Sequence, residues 1–137
     1  MNLSKNVKVT KVAAAATSAG TAIDSTAVDM SGFEGVIFVG SIATANAGNT
    51  AIAAQSTTSG GSYADLAGSE VAPGDNGDSF LIDVYRPRER FVRCEIDRSG
   101  ANTATGDIYA IQYGAASKPT VHGATIDAIL AISPAEA

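Results

Sequence analysis

The sequence predicts an all-β protein: a single antiparallel β-sandwich, jelly-roll-like, with extended N- and C-terminal arms. Three observations point there. Short apolar or alternating runs recur at hairpin-like spacing, divided by clusters of Gly, Asn, Asp and Ser. No long stretch shows the apolar period of a helix with start and stop signals. Hydrophobic residues make up 45% of the 137-residue chain, yet it has only four Phe, four Tyr and no Trp. A thin core of Val, Ile, Leu and Ala suits layered sheets, and the length suits one domain.

Residues 1–114 are expected to form the sandwich with a short N-terminal arm, and 115–137 an extended C-terminal arm. In "NVKVTKVAAAAT", Val7 and Val9 alternate with Lys8 and Thr10 as in a half-exposed strand. The alanines that follow suit a helix start as well, though no cap accompanies them. "TAIDSTAVDM" leads to the turn-like "SGFEG". "VIFVGSIA" is apolar on both faces, so Val36 to Ile42 reads as a central strand. "NTAIAAQS" is another strand, and "TTSGGS" a loop.

"DSFLIDVYRP" places Phe80, Ile82 and Val84 on one face and Asp83 and Tyr85 on the other. Pro87 lacks the N–H a ladder needs and ends that strand. In "RFVRCEIDR", Val92, Cys94 and Ile96 share one face; Phe91, Arg93, Glu95 and Asp97 share the other. "RSGANTATG" is a loop. "DIYAIQYGA" sets Ile108, Ala110 and Gln112 against Tyr109, Ile111 and Tyr113. Beyond Gly114 the pattern loosens to one apolar knot, Ile126 to Ile132. Its spacing fits a strand or a helical turn equally.

Charge excludes some functions. The net charge is −5, the wrong sign for a free nucleic-acid binder. All five arginines crowd into residues 86–98, and residues 12–85 carry no cation. Asp83, Glu89, Glu95 and Asp97 lie among those arginines, so the segment is near neutral. Cys94 is the lone cysteine, which leaves no intrachain disulfide. No apolar run approaches the ~20 residues of a membrane span, and residues 1–12 lack a signal-peptide core. The expectation is a soluble protein made in the cytoplasm, with neither membrane nor nucleic-acid partner.

Catalytic chemistry finds no foothold. His122 is the only histidine, so a metal or acid–base role lacks partners; it reads as a solvated or backbone-bonded residue. Cys94 reads as a small core hydrophobe, since a nucleophile wants an adjacent base. "PGDNGDS", with Asp75, Asn76 and Asp78, departs from calcium-loop spacing and reads as a turn. "TTSGGSYADLAGS" has no phosphate-loop lysine. Acid pairs such as Asp24 and Asp29 have no apolar pocket about them. A non-enzyme without cofactor or metal is expected.

The order of the pieces then matters. "VDMSGFEGVIFVG", "SGGSYADLAGSEV", "LIDVYRPRERFVR", "AIQYGAASKPT" and "SPAEA" follow one another. Together they resemble the head decoration, or cement, proteins of tailed bacteriophages, from about residue 3 onward. The most specific pieces are "DVYRPRERFVR" and "AIQYGA…KPT". The resemblance implies a structural virion protein on the outer capsid surface that bridges major capsid protein subunits. It also implies a homotrimer at three-fold or local three-fold positions. Alternatives are a tail or head-completion protein, or an adhesin module for a receptor or glycan, with Tyr63 as its one loop aromatic.

Candidate interface residues follow. Arg86, Arg88 and Arg90 lie at one turn, able to pair with carboxylates of the same chain or of a neighbour. Ile126, Ile129, Leu130 and Ile132 are expected to anchor the C-terminal arm outside its own sandwich.

Overall fold

The computed structural model describes residues 2–132 and 135. Met1 and residues 133, 134, 136 and 137, the last four within the expected arm, lie outside the described residues. Eleven strand segments carry the fold: β1 (Lys8–Ala13), β2 (Ala16–Ala19), β3 (Ile23–Asp24), β4 (Val28–Asp29), β5 (Gly35–Thr44), β6 (Thr50–Ser56), β7 (Ala64–Asp65), β8 (Ser79–Tyr85), β9 (Phe91–Asp97), β10 (Thr103–Thr105) and β11 (Ile108–Tyr113). A single 3₁₀ turn, Leu3–Lys5, precedes them. The alanines after Val12 continue in extended form into β2, so the helix alternative for them is not realised.

The segments fall into eight lines. β1 and β2 run end to end along β11 and β10, with register shifts where they meet. β11 and β10 in turn share one edge of β5, whose other edge holds β8. The first sheet therefore reads β1/β2, β10/β11, β5, β8. In the second sheet β3 and β4 share one edge of β9, followed by β6 and β7.

Counted along the chain, the lines of the first sheet are 1-8-3-6 and those of the second 2-7-4-5. Neighbours 1 and 8, 2 and 7, 3 and 6, 4 and 5 make one long antiparallel hairpin. It is rolled so that successive pairs alternate between sheets, which is a jelly roll. The expected sandwich is thus the observed one.

Alternation along each strand builds the core. Val36, Phe38 and Ile42 of β5, Phe80 and Ile82 of β8, and Ile108 of β11 point inward from the first sheet. Ala51, Ala53, Val92, Cys94 and Ile96 meet them from the second. Each large aliphatic contributes about 1.5–3 kcal/mol by its burial. Gly40 of β5 makes room for this packing: a Cβ there would lie 2.5 Å from the Phe80 ring.

The outer face of the first sheet is also apolar. Tyr109, Val39 and Leu81 align across three strands, as do Val9, Ile111 and Ile37. That explains why β5 reads as apolar on both faces. Leu81 and Tyr85 are 57% and 59% exposed there.

The C-terminal arm starts along the free edge of β1. Thr120 N–H donates to the Lys5 carbonyl at 3.0 Å and Gly123 N–H to the Val9 carbonyl at 2.8 Å. The Thr120 hydroxyl donates to the Val7 carbonyl. His122 Nδ1 accepts the Val9 N–H at 3.0 Å, so the lone histidine is bonded to backbone.

Candidate interface at the arginine turn

The chain reverses between β8 and β9 through Arg86–Arg90. Arg86 has φ +52°, the left-handed region that an arginine seldom occupies. Its N–H donates to the Glu34 carbonyl at 2.8 Å, which prolongs the β5–β8 ladder by one bond. Gln55 of β6 supports the far side: its Oε1 accepts the N–H groups of Arg88 at 3.1 Å and Glu89 at 3.3 Å. A turn springing from one sheet is thus held by a side chain of the other.

The five arginines divide. Arg90 grips Asp29 of β4 with two bonds, Nε to Oδ1 at 2.9 Å and Nη2 to Oδ2 at 2.8 Å. That pairing holds the Asp29 carboxyl below the usual range, and the Ser31 N–H adds to it. Arg93 meets Asp24 at 3.0 Å and Glu95 at 2.6 Å. Its guanidinium lies 4.2 Å from the centre of the Tyr63 ring. Arg98 is buried, and its Nη1 donates to the carbonyls of Thr17 and Thr103. These three are struts within the chain.

Arg86 and Arg88 are different. Arg86 approaches Glu34 only at 3.8 Å, with 69% of its side chain exposed, and rests 5.1 Å from the Tyr85 ring centre. Among the described residues no carboxylate lies within ion-pair distance of Arg88. The ridge Arg86-Pro87-Arg88 separates two shallow grooves. One, of about 500 Å³, runs between the end of β8 and the loop after β7, past Gln55, Leu66 and Ser69. The other, of about 530 Å³, is bounded by Met30, Phe33 and Glu34.

Three of the internal partners, Asp24, Asp29 and Glu34, come from the acidic, cation-free region before residue 86. Asp83 accepts instead from the Tyr113 hydroxyl at 2.6 Å, and Asp97 from the Ser99 N–H at 2.7 Å. Spacing carried no signal for Gln55, Glu34 or Asp29, which lie 33 to 61 residues in sequence from the groups they bond.

The arm residues are placed separately from the turn. Ile129 is 91% exposed, Ile132 75% and Leu130 37%, while Ile126 is half-buried. The remaining candidates have plain structural roles. Asp78 caps its turn by accepting from Gly74 and Asp75, and Asn76 accepts from Ala45. Cys94 lies fully buried, and burial, aided by the Glu95 charge, pushes its thiol up to about 12. Among the described residues no three His, Cys, Asp or Glu side chains cluster as a metal site would. No helix among the described residues is long and apolar enough to cross a membrane.

No protein-family model matches this chain. No curated protein matches it either. Among solved structures, the crystal structure of PBSX exported protein XepA superimposes with a TM-score of 0.57 at 17% identity. The match takes in 97% of this chain and 45% of that one, so the present chain spans less than half the neighbour's length. At that identity the likeness is one of fold alone.

Proposed function

We propose that this chain is a structural virion protein of a tailed phage. It binds the outer surface of the capsid and bridges major capsid protein subunits, without catalytic activity, cofactor or metal. The observation that carries this reading is the turn Arg86-Pro87-Arg88. It lies within "DVYRPRERFVR", a segment most like the decoration proteins. Unlike Arg90, Arg93 and Arg98, its two guanidinium groups are not held in close internal pairs. They project between two open grooves from a turn held by Gln55.

Such a protein adheres by many modest contacts, and an arginine fork is suited to carboxylates on a shell. A bidentate pair shielded inside an interface costs about 2–5 kcal/mol when one partner is removed, against about 0–1 kcal/mol for an exposed pair. The adhesin alternative draws less support, because one face of Tyr63, its candidate aromatic, is covered by Arg93.

The test is retention on purified shells. Arg86→Ala and Arg88→Ala should lower retention while the isolated protein melts unchanged. Electron microscopy of the virion should place the protein on the outer head surface; density at the tail or the head–tail junction would overturn the capsid assignment.

A further inference from the structure

The first sheet ends in an open edge. Ile42 and Arg86 donate backbone bonds that flank the β5–β8 ladder, to the carbonyls of Asp78 and Glu34. The register between them is unbroken. The even-numbered residues of β8 therefore face β5, and Ser79, Leu81, Asp83 and Tyr85 point their N–H and C=O groups outward. Among the described residues nothing accepts from or donates to those outward groups. An unpaired, unbulged seven-residue edge carrying an exposed leucine is a template for another strand.

The same chain holds an unpaired strand-like segment. After Gly123 the arm leaves β1, and among the described residues the last backbone bond made by its amides is Ile126 N–H to the Gly123 carbonyl. Residues 126–132 match β8 in length. Ile126, Ala128, Leu130 and Ile132 alternate with Asp127, Ile129 and Ala131. Ile129 and Ile132 are exposed to water with no apolar cover.

We infer that residues 126–132 of one copy add as a strand to the β8 edge of a second copy, joining copies head to tail. The arm leaves from the β1 edge, across the sheet from its own β8, so a neighbour's edge is the accessible one. Strand direction supports the match. The arm runs parallel to β1, because Thr120 bonds near Lys5 and Gly123 near Val9. Three antiparallel steps, β1 to β11 to β5 to β8, make β8 antiparallel to β1. A second copy set alongside without inversion thus offers its β8 antiparallel to the arriving arm.

Charge agrees as well. Between residues 119 and 132 the only charge is Asp127. In the antiparallel setting that places Asp127 beside Tyr85, its carboxylate approaches Arg86 and Arg88 of the neighbour. Leu130 and Ile132 then extend the inward row of Ile82 and Phe80. A head-to-tail contact of this kind closes into a ring when its rotation divides the circle, and the expected trimer is one such closure. The inference does not depend on where in a virion the protein sits.

Two full-length variants test it. Ile129→Glu with Leu130→Glu and Ile132→Glu disables the arm. Leu81→Pro disables the edge, since its N–H points away from β5 and the ladder loses no bond; Leu81→Lys is the gentler substitute should proline unfold the chain. Sedimentation velocity of the wild type should show a concentration-dependent oligomer. Each variant should weaken self-association by about a hundredfold or more, because each buried aliphatic is worth roughly tenfold to a hundredfold. Mixed, the arm variant and the edge variant should form a 1:1 complex, one supplying the edge and the other the arm. A monomeric wild type, an oligomer indifferent to either variant, or no complex on mixing would each overturn the inference.

Discussion

Arg90 and Asp29 form a two-bond ion pair that joins the start of β9 to the end of β4. The planar fork meets both carboxylate oxygens and adds a side-chain tie to the β4–β9 ladder. Arg90→Ala should lower the melting temperature of the isolated protein by roughly 1–4 °C, and Asp29→Asn should do the same, with the double variant no worse than either. The Asp29 carboxyl is depressed, so its contribution is present above about pH 4 and is lost as the pH falls below. The melting difference between wild type and Arg90→Ala should therefore shrink in acid. A constant difference down to pH 2 would show that Arg90 acts by packing alone.

Cys94 should be inert in the folded protein. It is buried among Val92, Ile96 and Ala53, and its thiol is pushed up to about 12, so little thiolate exists at neutral pH. A thiol reagent should label it only upon unfolding. Cys94→Ser should cost about 1–3 kcal/mol, because a hydroxyl there needs a partner. Fast labelling of the native protein would contradict the inward face assigned to β9.

Tyr113 spans three strands. Its ring lies over Gly35, where a Cβ would come within 2.3 Å of it, and its hydroxyl donates to Asp83 on β8. Burial first, then the bond to Asp83, pushes the phenol up to about 12. The neutral form is the one the fold favours. The stabilisation is complete below pH 10 and is lost as the pH rises from about 10 to 12. An ultraviolet titration should show a tyrosine ionising near pH 12 that disappears in Tyr113→Phe. If the ionisation lost in Tyr113→Phe lies near pH 10 instead, the phenol is not held by burial and Asp83.

His122 fastens the arm to β1. Its Nδ1 accepts the Val9 N–H, which requires the neutral ring with the proton on Nε2. His122→Ala should speed exchange of the Val9 amide by roughly five- to tenfold, the value of one hydrogen bond of about 1 kcal/mol, with little change in global melting. An unchanged exchange rate would mean that Thr120 and Gly123 hold the arm without it.

Strand identity and facing were legible for the long strands because both are local. By contrast "RSGANTATG", which reads as a loop, holds the short strand β10, whose pairing with β2 and β5 no local period signals. Side chains alternate with a period of two, so Phe80, Ile82 and Val84 declare an inward face without reference to any distant residue. The same holds for Val92, Cys94 and Ile96, and for Ile108, Ala110 and Gln112. Val36 to Ile42 announces a central strand because it is apolar on both faces; folded, Val36, Phe38 and Ile42 are buried while Ile37 and Val39 stay half-buried on the outer face.

What tertiary structure alone decided is pairing. The order 1-8-3-6 and 2-7-4-5 arises from closing one long hairpin upon itself, and no local period encodes which line meets which. The arginine cluster shows the consequence. In sequence its five guanidinium groups form one patch, and the charges nearest them are Glu89, Glu95 and Asp97. Folded, the roll carries Asp24, Asp29 and Glu34 to the same end, binds Arg90 and Arg93 tightly, buries Arg98, and leaves Arg86 and Arg88 projecting. His122 and Val9 meet for the same reason: the arm lies along an edge that exists only once β1 has joined β11. Residue types determined which groups were able to pair, and the closure of the sandwich determined which of them did.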